Sequence, residues 1–243
     1  MMLFKLVALF FFLLICGLFF TLIIFKFNFA VFKKSELSKK IIFWIPIFVV
    51  FLFFVFSNHQ IQFLIVVLLI GAVLLEYLNA IKKVHSKRLL LFSFIIMIVI
   101  GLIHLIFLKN LDQDAKTLLL TIGIGTAVSD VTAFFFGNFR GKHKLPQAIN
   151  PNKSWEGIIG QILGAFLGVF LIKFFIISRT NIMWFIPIGI GSAIGDIFNS
   201  FTKRKANINS WSNIIPGHGG FIDRFSSLAI SSLLTFYFAL LKF

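Results

Sequence analysis

Asp196, Asn199, Ser200 and Lys203 recur at i, i+3, i+4 and i+7, the spacing that lines one face of a helix, and the stripe runs on into Lys203-Arg204-Lys205. A second stripe, Asp223, Ser227 and Ser231, repeats every fourth residue. Between them lies Pro216-Gly217-His218-Gly219-Gly220, with Asp223-Arg224 close behind. Closely spaced glycines let backbone N–H groups approach a phosphate, and a neighbouring guanidinium adds a charge-assisted contact. Carboxylates, Lys and Arg around such a turn suit a magnesium-bound polyphosphate better than a proton relay. Mg2+ takes one or two carboxylates together with substrate phosphates and offsets charge as a phosphoryl or nucleotidyl group moves.

The chain has eight acidic residues, so each can be placed in turn. Glu36, Asp112 and Asp114 fall in loops, where a solvated charge is expected. Glu76 and Asp130 stand inside apolar runs, Asp196 stands toward the end of one, and Glu156 and Asp223 stand at the starts of two others. A carboxylate in hydrocarbon costs roughly 2.5–3.5 kcal/mol on the gentlest scale, so such acids face a cavity, an ion or a partner. At about 1.5 Å per residue, Asp130 is about 10 Å from the end of its helix, and all five acids can reach one vestibule.

The elements that must carry these residues follow from composition. Of 243 residues, 59% are hydrophobic and 13% charged, 36 are Phe, and the mean hydropathy is +1.02. That balance excludes soluble enzymes and disordered proteins and predicts an all-α, polytopic transmembrane helix bundle. Apolar runs give about eight spans, near 6–25, 41–56, 61–81, 89–108, 117–137, 157–177, 182–202 and 225–241. The first is read as a retained helix and not a signal peptide. Residues 1–116 then form an N-terminal set of about four spans, and 117–243 the catalytic region. Loops 26–40, 82–88, 138–156 and 203–224 hold seventeen Lys and Arg, whereas the alternate loops hold three. The bias puts the four basic loops in the cytoplasm and both termini outside. The net charge of +15 is explained by this topology and by anionic lipid, without nucleic acid. The lone Cys16 leaves no intrachain disulfide or Cys-based metal cluster. Gly160, Gly164 and Gly168 form a small-residue ridge for helix packing. His104 is read as a satisfied interhelical residue, Lys173 as a snorkelling one, and Ser227 and Ser231 equally as interhelical hydrogen bonders.

The run Ser200-Phe201-Thr202-Lys203-Arg204, followed by Ile215-Pro216-Gly217-His218-Gly219-Gly220-Phe221-Ile222-Asp223-Arg224, resembles the signature of phosphatidate cytidylyltransferases, the CDP-diacylglycerol synthases. An upstream block is similar too: Asp130 through Ala133, Gly137, Gly141-Lys142, and Asn150-Pro151-Asn152-Lys153-Ser154-Trp155-Glu156-Gly157. The resemblance covers about 117–243, with Glu76-Tyr77 a weaker match earlier. It implies transfer of CMP from CTP to phosphatidic acid, with Mg2+ required. It also implies metal-site acids at Asp196 and Asp223, with Asp130 near nucleotide or metal. Phosphate contacts fall to Lys153, Lys203 and Arg204, beside the Arg224 guanidinium and the backbone of Gly217, Gly219 and Gly220 read from the turn itself. Ser200 and His218 would orient the headgroup or triphosphate, and Glu156 enters through its motif without an assigned role. The expected partners are CTP, phosphatidic acid and membrane lipid, with a homodimer as a further candidate. Four departures stand out. Asn199 occupies a position where the family usually carries Glu, Asn209-Ser210 replaces a Lys-Asp pair, and Ser226 replaces an Asp. A catalytically silent paralogue and, more remotely, a transporter are the competing readings.

The charge bias makes a direct expectation. Single cysteines introduced into loops 26–40, 82–88, 138–156 and 203–224 of a Cys16→Ser chain should react only with a cytoplasmic-side reagent, and labelling of any of them from outside would reverse the topology.

Overall fold

The computed structural model describes residues 2–82, 88–108, 115–147, 149–150, 153–215 and 219–241, without the side chains of Glu36 and Leu89. Asp112, Asp114, Gly217 and His218 lie outside the described residues, as does most of loop 82–88.

Nine α-helices account for almost all of the described chain. The apolar α1 (Met2–Ile24) stops where Lys26 and Phe27 turn into left-handed backbone, with φ of 49° and 58°. The short α2 (Phe29–Lys34) starts under Asn28, whose Oδ1 accepts the Val31 N–H at 3.2 Å. Ser35 caps α3 (Glu36–Phe56) and Asn58 caps α4 (His59–Ile81), so the tight polar connection expected at 57–60 is a helix stop and a helix start back to back. Gln62 on α4 reaches back to the Phe54 carbonyl at 2.9 Å, satisfying one of the orphan carbonyls that end α3. Then come α5 (Arg88–Phe107), α6 (Ala115–Arg140), α7 (Trp155–Phe175), a single 3-10 turn at Ile182–Trp184, α8 (Phe185–Lys205) and α9 (Phe221–Leu240).

Among the described residues, seven helices are long and apolar enough to cross a membrane: Met2–Ile24, Leu37–Phe56, His59–Ile81, Leu90–Phe107, Ala115–Arg140, Trp155–Phe175 and Ile182–Lys205. The eighth expected span is α9, which has the length at 20 residues but devotes one side to Ser226, Ser227, Ser231, Ser232 and Thr235, all buried. The chain is a multi-pass helical membrane protein, and its polarity is turned inside out. Large apolar side chains such as Phe4 and Phe174, 78% and 71% exposed, face outward, whereas Thr121, Ser129, Gln161, Ser192 and Ser231 are buried. In hydrocarbon a polar group must find its partner within the protein, so hydroxyls and amides collect between helices.

The most extensive packing is α6 on α7, followed by α8 on α9, α5 on α9 and α7 on α8; α1 and α3 lie at the margin. Glycine makes the first two contacts close. A Cβ on Gly164 would come within 2.8 Å of the Ser129 Cα, and one on Gly168 within 2.9 Å of the Gly125 Cα, so the expected glycine ridge is the α6–α7 seam. Gly191 and Gly195 do the same for α8 against the backbone of Ser231 and Ser227. This seam supports Asp130 and Asp196, which stand on the two helices that flank α7. Gly164→Ala should therefore lower the thermal unfolding midpoint in detergent, at an overpacking cost of about 1–3 kcal/mol. Gly71→Ala, where a Cβ meets nothing within 4 Å, should leave the midpoint unchanged or slightly raised.

Candidate active site

The polar face of α8 links two carboxylate clusters. At its upper end Asp196 pairs with Lys153, whose Nζ also reaches the Asp196 carbonyl at 3.4 Å. Gln161 on α7 donates to Asp196 Oδ2 at 3.2 Å and to the Ser192 carbonyl at 3.5 Å, while its own carbonyl accepts from Ser129 Oγ at 2.7 Å. Asp130 on α6 stands close to Ser227 of α9 and lies in the fields of Asp196, Arg224 and Lys153. Two carboxylates and two cations thus converge where α6, α8, α9 and the loop before α7 meet. The Nε of Arg224 is buried and has no hydrogen-bond partner among the described residues.

One and two helical turns further along α8, Asn199 and Lys203 meet Asp223 at the start of α9. Lys203 Nζ lies 2.5 Å from Asp223 Oδ1, and the pair is nearly dry, with side chains 19% and 7% exposed. Asn199 Nδ2 donates to the same oxygen at 3.4 Å. The second oxygen, Oδ2, accepts the Trp211 N–H at 3.1 Å and the Gly220 N–H at 3.2 Å. Trp211 is held in turn: its indole N–H donates to Asn199 Oδ1 at 2.8 Å, and its ring stacks on Phe94 with centroids 5.9 Å apart. Asp223 therefore ties α8, the α8–α9 loop and the α9 N-terminus together.

Lys153 is delivered by a loop whose described residues are tied by backbone hydrogen bonds. The Leu145 N–H donates to the Lys153 carbonyl at 2.8 Å, the Trp155 N–H donates to the His143 carbonyl at 2.9 Å, and Ser154 Oγ caps α7 by accepting the Gly157 N–H. Glu156 latches this loop, accepting the His143 N–H at 3.1 Å and lying 2.7 Å from the His143 ring. Its motif position thereby acquires a physical role, anchoring the segment that presents Lys153.

Other expected residues are dispersed. Ser200 is buried at 5% exposure beside the α8 stripe. Arg204 turns outward and contacts Asn209 Oδ1 at 3.4 Å, so of the Lys203-Arg204 pair only Lys203 joins the cluster. Gly219 adopts φ +80°, and the Gly220 N–H is engaged by Asp223, so these two glycines shape the turn. Ser227 faces Asp130, whereas Ser231 bonds the Ile188 carbonyl at 3.0 Å and is interhelical. His104 is satisfied within its own helix, by the Ile100 carbonyl at 2.7 Å, and not by a hydrogen bond across helices as expected; its contacts with α9 are the rings of Phe236 and Tyr237. Lys173 binds the Thr180 carbonyl at 2.8 Å, an attachment that the snorkelling expectation did not specify.

Gln161, Ser129, Trp211 and Ser212 were not singled out from the sequence. Gln161 had a readable signal, an amide in the middle of an apolar run, where an unsatisfied polar group is costly. Trp211 had none, since its partners come from two other segments.

A model of the Cytidylyltransferase family matches residues 1–242. The chain is similar to the phosphatidate cytidylyltransferase of Haemophilus influenzae, 34% identical over 173 residues, which are 66% of this chain and 60% of that protein. It is 29% identical over 215 residues to that of Rickettsia bellii, 84% of this chain and 91% of the relative. With that of Aquifex aeolicus it shares 33% identity over 130 residues, 54% and 50% of the two chains. The alignment thus spans less than two thirds of the Haemophilus and Aquifex relatives and most of the Rickettsia one. A family model running over all but the last residue shows that the chain belongs to the cytidylyltransferase family.

Proposed function

We propose that this protein transfers CMP from CTP to phosphatidic acid, forming CDP-diacylglycerol and pyrophosphate, at the cytoplasmic face of the cell membrane. The observation that carries the reading is the convergence of Asp130, Asp196, Lys153 and Arg224, joined along one face of α8 to the Lys203–Asp223 pair. Relatives named for this reaction support it, and the bias of basic residues toward four loops supports the cytoplasmic orientation.

In this reaction a phosphate oxygen of phosphatidic acid attacks the α-phosphorus of CTP. The new P–O bond forms as the bond from that phosphorus to the bridging oxygen breaks, and pyrophosphate leaves with the electron pair. The attacking phosphate is already ionised, so no side chain has to remove a proton. The protein's task is orientation and charge stabilisation. Lys153 and Lys203, paired with Asp196 and Asp223, are cations that can exchange a carboxylate for a phosphate oxygen. Arg224 retains an Nε–H that no described side chain uses.

The donor set fits Mg2+. Asp130 and Asp196 act on one another electrostatically, and hard oxygen ligands of this kind suit that ion. Among the described residues no group of three or more metal-ligating side chains assembles, which accords with an ion that takes one or two carboxylates and completes its shell with phosphates and water. Asp196, with Asp130 beside it, would hold it; Asp223, the other acid expected at the metal, stands in the second cluster and could join only on releasing one of its four donors. When bound it supplies neutralisation of charge on the triphosphate.

Asp196→Asn should lower CDP-diacylglycerol formation from labelled CTP by about a hundredfold or more while the protein remains folded, the scale expected when a preorganised charge is removed. Retained activity at saturating Mg2+ would remove Asp196 from the site. Asn199→Glu keeps an acceptor for the Trp211 indole but sets a carboxylate where an amide now donates to Asp223. It should lower the Mg2+ concentration giving half-maximal activity, and an unchanged midpoint would put position 199 outside the metal's reach.

A further inference from the structure

Glu76 lies on α4, far in sequence from every other residue of the site, and is 2% exposed. Its two oxygens are both used. Oε1 accepts from Ser212 Oγ at 2.5 Å and from the Phe221 N–H at 2.8 Å, and Oε2 accepts from the Ile222 N–H at 2.9 Å. The preceding N–H, that of Gly220, goes to Asp223 Oδ2. The first N–H groups of α9 are therefore divided between two carboxylates, one from α9 itself and one from α4. A buried carboxylate at the positive end of a helix is stabilised there without a paired cation.

Ser212 and Phe221 flank the glycine-rich segment, so a single carboxylate fastens both ends of that segment. Ser212 also follows Trp211, whose N–H binds Asp223, and Ile222 precedes Asp223 directly. Gly220 completes the fit, because a Cβ there would stand 2.5 Å from both Glu76 oxygens.

We infer that Glu76 is a positioning residue: it sets the register of the first turn of α9 and the base of the glycine-rich loop, and through them the placement of Asp223 and Arg224. The inference rests on the proposed transfer reaction for its kinetic consequence and on geometry alone for its anchoring. Displacement of reacting groups by about 1 Å can cost about a hundredfold in rate, so loss of the anchor acts on turnover more than on nucleotide binding.

The test uses the full chain in lipid nanodiscs. In Glu76→Gln an amide NH2 replaces one acceptor and opposes an N–H or O–H donor. The expected result is a kcat about tenfold or more lower per folded molecule, a CTP KM within about twofold, and amide exchange at Phe221 and Ile222 about tenfold faster or more, with the rest of the protein unaltered. Gly220→Ala displaces the same carboxylate from the other side and should give the same signature; it decides the matter if Glu76→Gln does not fold. Unchanged kcat and exchange, or activity that falls only with the folded fraction, overturns the inference. A wild-type protein that forms no CDP-diacylglycerol overturns the transfer reading instead. In that case exchange at Phe221 and Ile222 decides the anchoring: faster exchange in the variants supports it and unchanged exchange overturns it.

Discussion

A carboxylate inside an apolar bundle must be supplied with donors before it can serve any reaction, because neither lipid tails nor Leu and Phe side chains can provide them. That requirement organises the whole inner face of α6 to α9. Asp223 takes four donors, Glu76 takes three, and Asp196 takes Gln161 and Lys153. The helices can approach closely enough to deliver those donors only because glycines stand at the crossings, so the small-residue seams and the charged site are parts of one arrangement.

The two lysine–carboxylate pairs differ in how firmly they are held. Lys203 and Asp223 are largely withdrawn from solvent, and separating them leaves a charge uncompensated where solvation is poor. Lys153 and Asp196 are 23% and 35% exposed, so water can take over part of their interaction. For the proposed reaction, exchange of partners with a triphosphate is accordingly easier at Lys153, on its latched loop, than at Lys203. The departures from the family pattern also fall into place by contact. Asn199 donates to Asp223 and accepts from Trp211, Asn209 receives Arg204, and Ser210 donates to Asn213. Ser226, 1% exposed, lies in the α8–α9 seam, with Gly195 against its carbonyl.

Much of this was legible in the chain, for a physical reason. The bilayer imposes length and apolarity on each span, so the helices could be counted directly. Their starts were misjudged where the first turn is polar: α9 begins at Phe221 and not near 225, because Asp223 and Arg224 belong to its opening turn, and α3 begins at Glu36 behind its Ser35 cap. The stripe on α8 was readable because its period is local to one helix. The division of labour among its members was not, since it depends on which helix each side chain meets. Asp130 finds Ser227 and Lys203 finds Asp223, and Arg204, one residue further, finds only a loop amide. Gln161 and Trp211 show the same limit, for their partners are set by packing across α6, α8 and α9.

The contact between Glu76 and Gly220 has an evolutionary side. The carboxylate occupies the volume a side chain at 220 would need, and the glycine is tolerable at the head of α9 because that carboxylate fills the gap. A larger residue at 220 would demand a shorter one at 76, and a shorter residue at 76 would leave N–H groups and a void that only a bulkier residue at 220 could partly fill. The two positions can drift only as a pair, so within related sequences their identities should covary although they belong to opposite halves of the chain.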